Sequence, residues 1–317
     1  MNRVFPEADW PDAWRLSYSY DKEEVYGEIA CRGYAYAYDN RRRYTLDLLK
    51  EAVAPGASVL DIAGAQGNLS IAAAERGYRV TWNDLRAELA EYVRRKDSTG
   101  SISYAPGNAF DLKFPGLFDA VIITEVIEHV AHPDDFLAKT ASLVKPGGWI
   151  VMTTPNGGYF RNDLPRFSDC DDPSVFESKQ FGPNGEDHIF LLHEDEVRNF
   201  AAAVGLKVAQ FRLFNNPLTS GHVKLETLLW QLPRAAVHRM EQLLQRAPGP
   251  IARRLMVHMA VLFQKPVEVA SSRLMARELA HPAQLGKHLH VEHHDEERGQ
   301  PAKDDGRHEA ERASRET

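Results

Sequence analysis

Three titratable residues stand where chemistry can be read from type and spacing. Asp61 sits within the apolar run Val59-Leu60-Asp61-Ile62, which passes at once into the small residues Ala63-Gly64-Ala65-Gln66-Gly67. A buried strand that breaks into such a turn and then a helix lets backbone N–H groups approach a ligand. The loop does not follow G-x-G-x-x-G, and the upstream carboxylate would repel a pyrophosphate, so a diphosphate is not expected. Asp84 ends a second strand-like run, Tyr78 to Asp84, 23 residues after Asp61. That is near the ~20-residue spacing at which a strand-end carboxylate meets a ribose diol. Two acids and no Lys or Arg in the loop describe a site for a ribose-bearing cation. His129 closes Glu125-x-x-Glu128-His129 after a later strand and is the expected proton acceptor, since imidazole titrates near neutral pH.

The same acids admit a metal reading. At helical spacing Glu125 shares a face with Glu128 or His129, and His188 is available as a further ligand. Mg²⁺ would suit so carboxylate-rich a set. The plainer expectation is no metal, with Glu125 flanking a cofactor and His129 packing or capping. Four histidines near the C-terminus, His288, His290, His293 and His294, lie in a charged stretch and read as solvated.

The elements that must position these groups follow from alternation and punctuation. Strand-like runs at 58–62, 78–83, 102–104, 120–124 and 149–153 alternate with helix-like runs at 69–76, 85–96 and 133–143. A helix over 194–204, a strand over 206–214 and a final strand over 255–263 complete the order. Such alternation predicts an α/β fold, a doubly wound Rossmann-like sheet that is mostly parallel, with helices on both faces. Ligands on these sheets bind at the carboxyl ends of the strands. Asp61, Asp84, Asn108 and Glu125 all fall there.

Read in order, these segments resemble the class I S-adenosylmethionine-dependent methyltransferases. Val59 to Gly67 resembles motif I, D-x-G-x-G-x-G; Asp84 resembles the acid of motif II; Gly107 to Asp111 resembles the segment beside the adenine. Phe118 to Val130 resembles motif IV of the E-x-x-E-H type, similar to ubiquinone-pathway O-methyltransferase-like proteins. Leu143 to Asn156 resembles the L-K-P-G-G turn and fifth strand. The resemblance implies a seven-stranded sheet whose last strand inserts antiparallel between the fifth and sixth. It implies S-adenosyl-L-methionine as cofactor, with Asp61, Gly64 and Gly67 around the methionine part, Asp84 on the ribose, Asn108 and Ala109 near the adenine, and Thr124 and Glu125 alongside. Arg43 falls where some relatives place an arginine on the cofactor carboxylate. Some E-x-x-E-H relatives hold a divalent cation and many do not.

This chain departs from the family at Ala63 and Ala65, which replace two motif I glycines, and at Asn108, which replaces an acid. Alanine prefers ordinary backbone angles, so a slightly displaced loop is expected, with binding retained. The predicted activity is in-line methyl transfer to an acceptor, a hydroxyl for preference, on a small molecule or glycan precursor. A nicotinamide-dependent oxidoreductase shares the strand, turn and ribose acid and is the rival enzyme. A non-catalytic S-adenosylmethionine-binding protein is the rival outside catalysis, motivated by the altered loop.

Composition bounds the rest. The 317 residues are 43% hydrophobic, enough for a sizeable core, and carry a formal charge of −7, which argues against a nucleic-acid partner. Residues 1–45 read as an N-terminal cap whose tyrosines (Tyr18, Tyr20, Tyr26, Tyr34, Tyr36, Tyr38) wall an acceptor or pack on the core. Residues 46–266 read as the methyltransferase domain, with a lid-like insertion at 155–190 rich in turn residues and a helical insertion at 217–250. Residues 283–317, charged and His-rich, read as a disordered tail. The apolar spacing within 222–245 suits a core face and also allows a homodimer. No run nears the ~20 apolar residues a bilayer span needs, and two distant cysteines argue against a disulfide framework. A cytoplasmic location is expected.

Overall fold

The computed structural model of the chain describes residues 1–28, 31–180, 188–223 and 225–267. Its centre is one seven-stranded sheet: β1 (Ser58–Ile62), β2 (Arg79–Trp82), β3 (Ser103–Tyr104), β4 (Phe118–Thr124), β5 (Val144–Pro155), β6 (Lys207–Phe214) and β7 (His258–Gln264). The spatial order is β3-β2-β1-β4-β5-β7-β6, and β7 runs antiparallel to both β5 and β6. The pairs β1–β2, β2–β3, β1–β4 and β4–β5 are parallel.

Successive strand residues point to opposite faces, and both faces are covered. In β1, Val59 enters one core and Leu60 the other; in β4, Ala120 and Ile122 go to the first, Val121 and Ile123 to the second. The first face is covered by α1 (Asp12–Glu24), α2 (Arg32–Ala52), α3 (Asn68–Ala74) and α4 (Leu89–Lys96), with Trp14, Leu49, Ile71 and Val93 buried. The second is covered by α5 (Pro133–Ser142) and α6 (Glu194–Ala203), with Leu137 and Val197 buried. Pro133 at the first turn of α5, followed by Asp134 and Asp135, suits a helix start sterically and electrostatically.

Several boundaries depart from expectation. The helix predicted from Leu85 begins at Leu89, because the Asp84 side chain accepts the Arg86 N–H at 2.9 Å and holds a turn there. β5 starts at Val144 rather than Trp149, running through Gly147-Gly148. The last strand starts at His258 rather than Leu255, since Gly249–Leu255 forms the short helix α9. The helical stretch before it divides at Pro233 into α7 (Glu226–Gln231) and α8 (Arg234–Leu244). Leu229 is buried against Tyr36, Leu232 and Val237, whereas Leu228 and Trp230 are half exposed.

The insertion after β5 is held to the second core by Phe167 and Phe176, whose rings sit 5.4 and 5.2 Å from Phe190. Residues 181–187 of that insertion and the expected tail at 283–317, with its histidines, lie outside the described residues. Among the described residues, no helix is long and apolar enough to cross a membrane.

Candidate functional site

The loop after β1 keeps a glycine-like course although two of its glycine positions hold alanine. Ala63 (φ 56°), Ala65 (φ 45°) and Gly67 (φ 73°) are all left-handed, so the two alanines do not take the ordinary backbone angles expected of them. An alanine in that region costs about 1–2 kcal/mol, and such strain persists only where the surroundings over-determine it. They do so here. Gly64 N–H donates to Asn83 O (2.8 Å), Ala65 N–H to Asp84 Oδ2 (3.0 Å), and Trp82 Nε1–H to Ala65 O (3.1 Å). Glycine is required at Gly67, where an added Cβ would lie 2.4 Å from Val93 Cγ1, and at Gly64, where it would lie 2.7 Å from Trp82 Cδ1.

Two carboxylates flank this loop. Asp61 is 1% exposed; Ser70 Oγ donates to its Oδ2 at 2.6 Å, and its Oδ1 finds no hydrogen-bond partner among the described residues. Burial, reinforced by Asp84, pushes its carboxyl up to about 7. An unsatisfied buried oxygen is costly, and a polar or cationic ligand group would answer it. Asp84 is 4% exposed and is gripped by the Ala65 and Arg86 N–H groups and the Arg86 guanidinium. Arg86 is itself half exposed. Asn108 is exposed and spends its amide on Asp111 (2.8 Å) and Phe110 N–H (3.2 Å), while Ala109 beside it is buried.

At the ends of β4 and β5 the motif IV acids separate. Glu125, another left-handed residue (φ 52°), follows Thr124 at the strand end. Its carboxylate meets Arg41 Nη1 (3.1 Å), His258 Nε2 (3.4 Å) and the Thr153 hydroxyl (3.0 Å). Burial alone would raise its pKa, but Arg41, His258 and Thr153 together pull it down to about 2. Glu128, wholly buried, goes the other way: burial and then the neighbouring Glu125 charge push it well above the usual carboxyl range. Thr154 Oγ1 donates to its Oε2 (2.9 Å), and Oε1 lacks a hydrogen-bond partner among the described residues. His129 Nε2 lies 3.9 Å from that Oε1, and the His129 and His188 rings are 4.8 Å apart.

Glu128, His129 and His188 place one ligand atom each within 4.8 Å of one another. Glu125 does not join them, because Arg41 and His258 hold it. One carboxylate and two imidazoles suit a borderline divalent ion better than Mg²⁺, which prefers oxygen.

The structure brings Asp61, Gly64, Gly67, Asp84, Thr124, Glu125 and His129 to one sheet edge. It sends Arg43 elsewhere: its guanidinium donates to Asn40 Oδ1 (2.9 Å), and with Arg42, Lys50, Arg76 and His238 it lines a cavity of about 770 Å³. The cavity runs along α2 from Asp39 to Lys50 and reaches Pro55 and Tyr78, which precede β1 and β2. The arginine at the motif IV corner is Arg41.

Sequence reasoning missed Arg41, two residues from the arginine chosen. It also missed His258, which the antiparallel course of β7 brings opposite Pro155 and Phe214. A third omission is a buried cluster from α1 and α4. Lys96 and Asp21, both fully buried, pair at 2.6 Å, and Lys96 Nζ also donates to Gln66 O (2.9 Å) and Asn68 Oδ1 (2.6 Å). Nothing in the local pattern signals a contact between residues so far apart.

The residues at this edge match a known domain. A model of the methyltransferase domain family fits residues 36–210, more than half of the chain. The chain belongs to that family. With its sheet order, this makes it a class I S-adenosylmethionine-dependent methyltransferase, and the nicotinamide alternative falls away. The methyltransferase is 40% identical over 116 residues to a ubiquinone biosynthesis O-methyltransferase of Xanthomonas campestris pv. campestris, covering 35% of this chain and 48% of that protein. A Burkholderia thailandensis protein of the same name is 28% identical over 162 residues, covering 50% and 68%. The chain thus spans about half the length of the first of these relatives. Among solved structures, the methyltransferase aligns with magnesium protoporphyrin IX methyltransferase from Synechocystis PCC 6803 (14% identity, TM-score 0.46, 80% of this chain and 93% of that one). It also aligns with a Haemonchus contortus phosphoethanolamine N-methyltransferase (18%, 0.49, 80% and 57%).

Proposed function

We propose that the protein transfers the methyl group of S-adenosylmethionine to a hydroxyl on a small molecule or glycan precursor. The observation that carries the choice of a hydroxyl is His129, set at the reaction edge beside Glu128 with its ring 4.8 Å from that of His188. The sulfonium is already activated, so the protein need only align the acceptor and remove a proton if the acceptor holds one. A hydroxyl holds such a proton, and an imidazole at this edge can take it. The relatives named as ubiquinone biosynthesis O-methyltransferases support the same acceptor atom.

In this reading the loop from Ala63 to Gly67 and Asp61 hold the methionine part, Asp84 takes the ribose, Asn108 and Ala109 border the adenine, and Thr124 and Glu125 close the cofactor's acceptor side. Glu125 enters as a fixed negative charge rather than a base, since Arg41 and His258 keep it ionised. Glu128, whose carboxyl is pushed upward by burial and by the Glu125 charge, lies beside His129 as a weaker acid than Glu125. Arg43, bonded to Asn40, remains the expected partner of the cofactor carboxylate, and Arg41, paired with Glu125, is a second candidate for that role.

A second reading rests on the convergence of Glu128, His129 and His188. A divalent ion held by these three would lower the pKa of an acceptor hydroxyl.

The test is release of S-adenosylhomocysteine from labelled S-adenosylmethionine over a panel of phenols, catechols, sugars and amines. Turnover confined to hydroxyl acceptors supports the proposal, turnover on amines alone overturns the acceptor atom, and cofactor binding without any turnover favours the non-catalytic alternative.

A further inference from the structure

The left-handed alanines of the cofactor loop raise a question of what holds them. Tethers from the end of β2 account for one side of the loop: Asn83 O, Asp84 and Trp82 grip Gly64 and Ala65. The other side is gripped from α1 and α4. Lys96 Nζ donates to the Gln66 carbonyl at 2.9 Å and is itself fixed by Asp21 Oδ2 at 2.6 Å. Asp21 also accepts from the Tyr92 hydroxyl (2.6 Å) and from Asn68 Nδ2 (2.7 Å), so each of its oxygens is satisfied inside the protein. Glu24, one turn along α1, accepts from Gln66 Nε2 and Asn68 Nδ2, both at 2.8 Å, and from the Tyr34 hydroxyl at 2.6 Å. Gln66 is therefore held by both its backbone and its side chain, between the strained Ala65 and the obligatory Gly67.

A buried ion pair is expensive to assemble and is weak evidence for stability by itself. What it supplies is a fixed geometry, and here the fixed point is a carbonyl of the cofactor loop. Glycine visits the left-handed region freely, whereas alanine leaves it unless restrained. We propose that the Asp21–Lys96 pair and Glu24 are positioning groups that hold the Ala63–Gly67 loop in its glycine-like course, making up for the two absent glycines in cofactor binding. The proposal rests on the cofactor reading given above. The side chains act through the loop backbone, and none of them needs to touch the cofactor.

Because the tether compensates for alanine, restoring glycine makes it dispensable. Calorimetric titration with S-adenosylhomocysteine is run on the wild type, Lys96→Met, Ala63→Gly/Ala65→Gly, and the triple variant, with circular dichroism confirming the fold of each. Lys96→Met is expected to weaken binding at least tenfold in the alanine background and less than threefold in the glycine background. Equal losses in both backgrounds, or no loss in either, overturn the proposal while leaving the cofactor site in place. A folded wild type that does not bind S-adenosylhomocysteine removes the cofactor reading itself. If Lys96→Met does not fold, the same cycle is run with Glu24→Ala, a less buried member of the tether, and equal losses in the two backgrounds again overturn the proposal.

Discussion

The two halves of the reaction edge are built on different principles. At the ends of β1 and β2 the backbone is the working part, a loop of three left-handed residues fastened from β2, α1 and α4. Where β4 and β5 end and β7 begins the side chains are, in two sets: Glu125 with Arg41 and His258, and Glu128 with His129 and His188. The first half recognises a ligand that never changes, so shape can be fixed once and guarded. On the proposed function the second handles a proton, and its groups differ in charge. Glu125 and Glu128, three residues apart, shift in opposite directions: Arg41, His258 and Thr153 pull the first down, whereas burial and the neighbouring Glu125 charge push the second up.

The sharpest way to break this contrast is at Gly67. Gly67→Val adds a clash with Val93 to a left-handed φ; overpacking costs about 1–3 kcal/mol and the backbone about 1–2 more. Binding of S-adenosylhomocysteine by calorimetry should fall by two orders of magnitude or more, or the protein should fail to fold. Gly116→Ala, with nothing near its Cβ, serves as the neutral control. Next in size is the acceptor half: His129→Ala should lower kcat by roughly 10²–10⁴ while leaving S-adenosylhomocysteine affinity unchanged, measured by steady-state kinetics and calorimetry in parallel. A loss of affinity instead would show that the halves are not separable.

Proton linkage gives a smaller effect and opposite signs for the two halves. Asp61, raised from 3.8 to about 7 in the folded protein, contributes stability that is fully present below pH 3.8 and lost as pH rises to about 7. Glu125, lowered from 4.5 to about 2, contributes stability present above pH 4.5 and lost as pH falls toward 2. Each limb has a slope of at most ~1.4 kcal/mol per pH unit. Denaturant unfolding across pH should show Asp61→Asn flattening the limb between pH 4 and 7 and Glu125→Gln flattening the acid limb. The smallest expected effect is from exhaustive chelation, after which turnover should persist; abolished turnover that returns with Zn²⁺ or Mn²⁺ would transfer the acceptor half to the divalent-ion reading.

Much of the frame was legible because strands and helices announce themselves locally. The run from Val59 to Ile62 and the alternation through Ser142 follow from apolar period and turn residues, and the observed β1 has the predicted bounds. The edges of elements were less so. Leu85 to Glu88 has the composition of a helix, yet Asp84 captures Arg86 and delays the start. The candidate site divides in the same way. Asp61, Asp84 and His129 are visible because each ends or follows a strand in the same stretch of chain. Arg41, His258 and Lys96 take their places from partners 84, 133 and 75 positions distant, and spacing within one chain segment carries no trace of such meetings. The left-handed alanines were missed for another reason: residue type argues against that conformation, and tertiary tethers overrule it.

One consequence of the sheet order concerns the sequence of assembly. Among the described residues, β6 hydrogen-bonds to no strand but β7, and β7 is the last of the described strands. A growing polypeptide therefore completes β1 through β5 well before β6 has anything to pair with, and β6 waits as an unpaired ribbon until residue 264 has been made. Contacts of such long sequence separation are closed late. The strands that carry the loop after β1 are thus made before His258, so the Glu125 corner is the last part of this edge to be assembled.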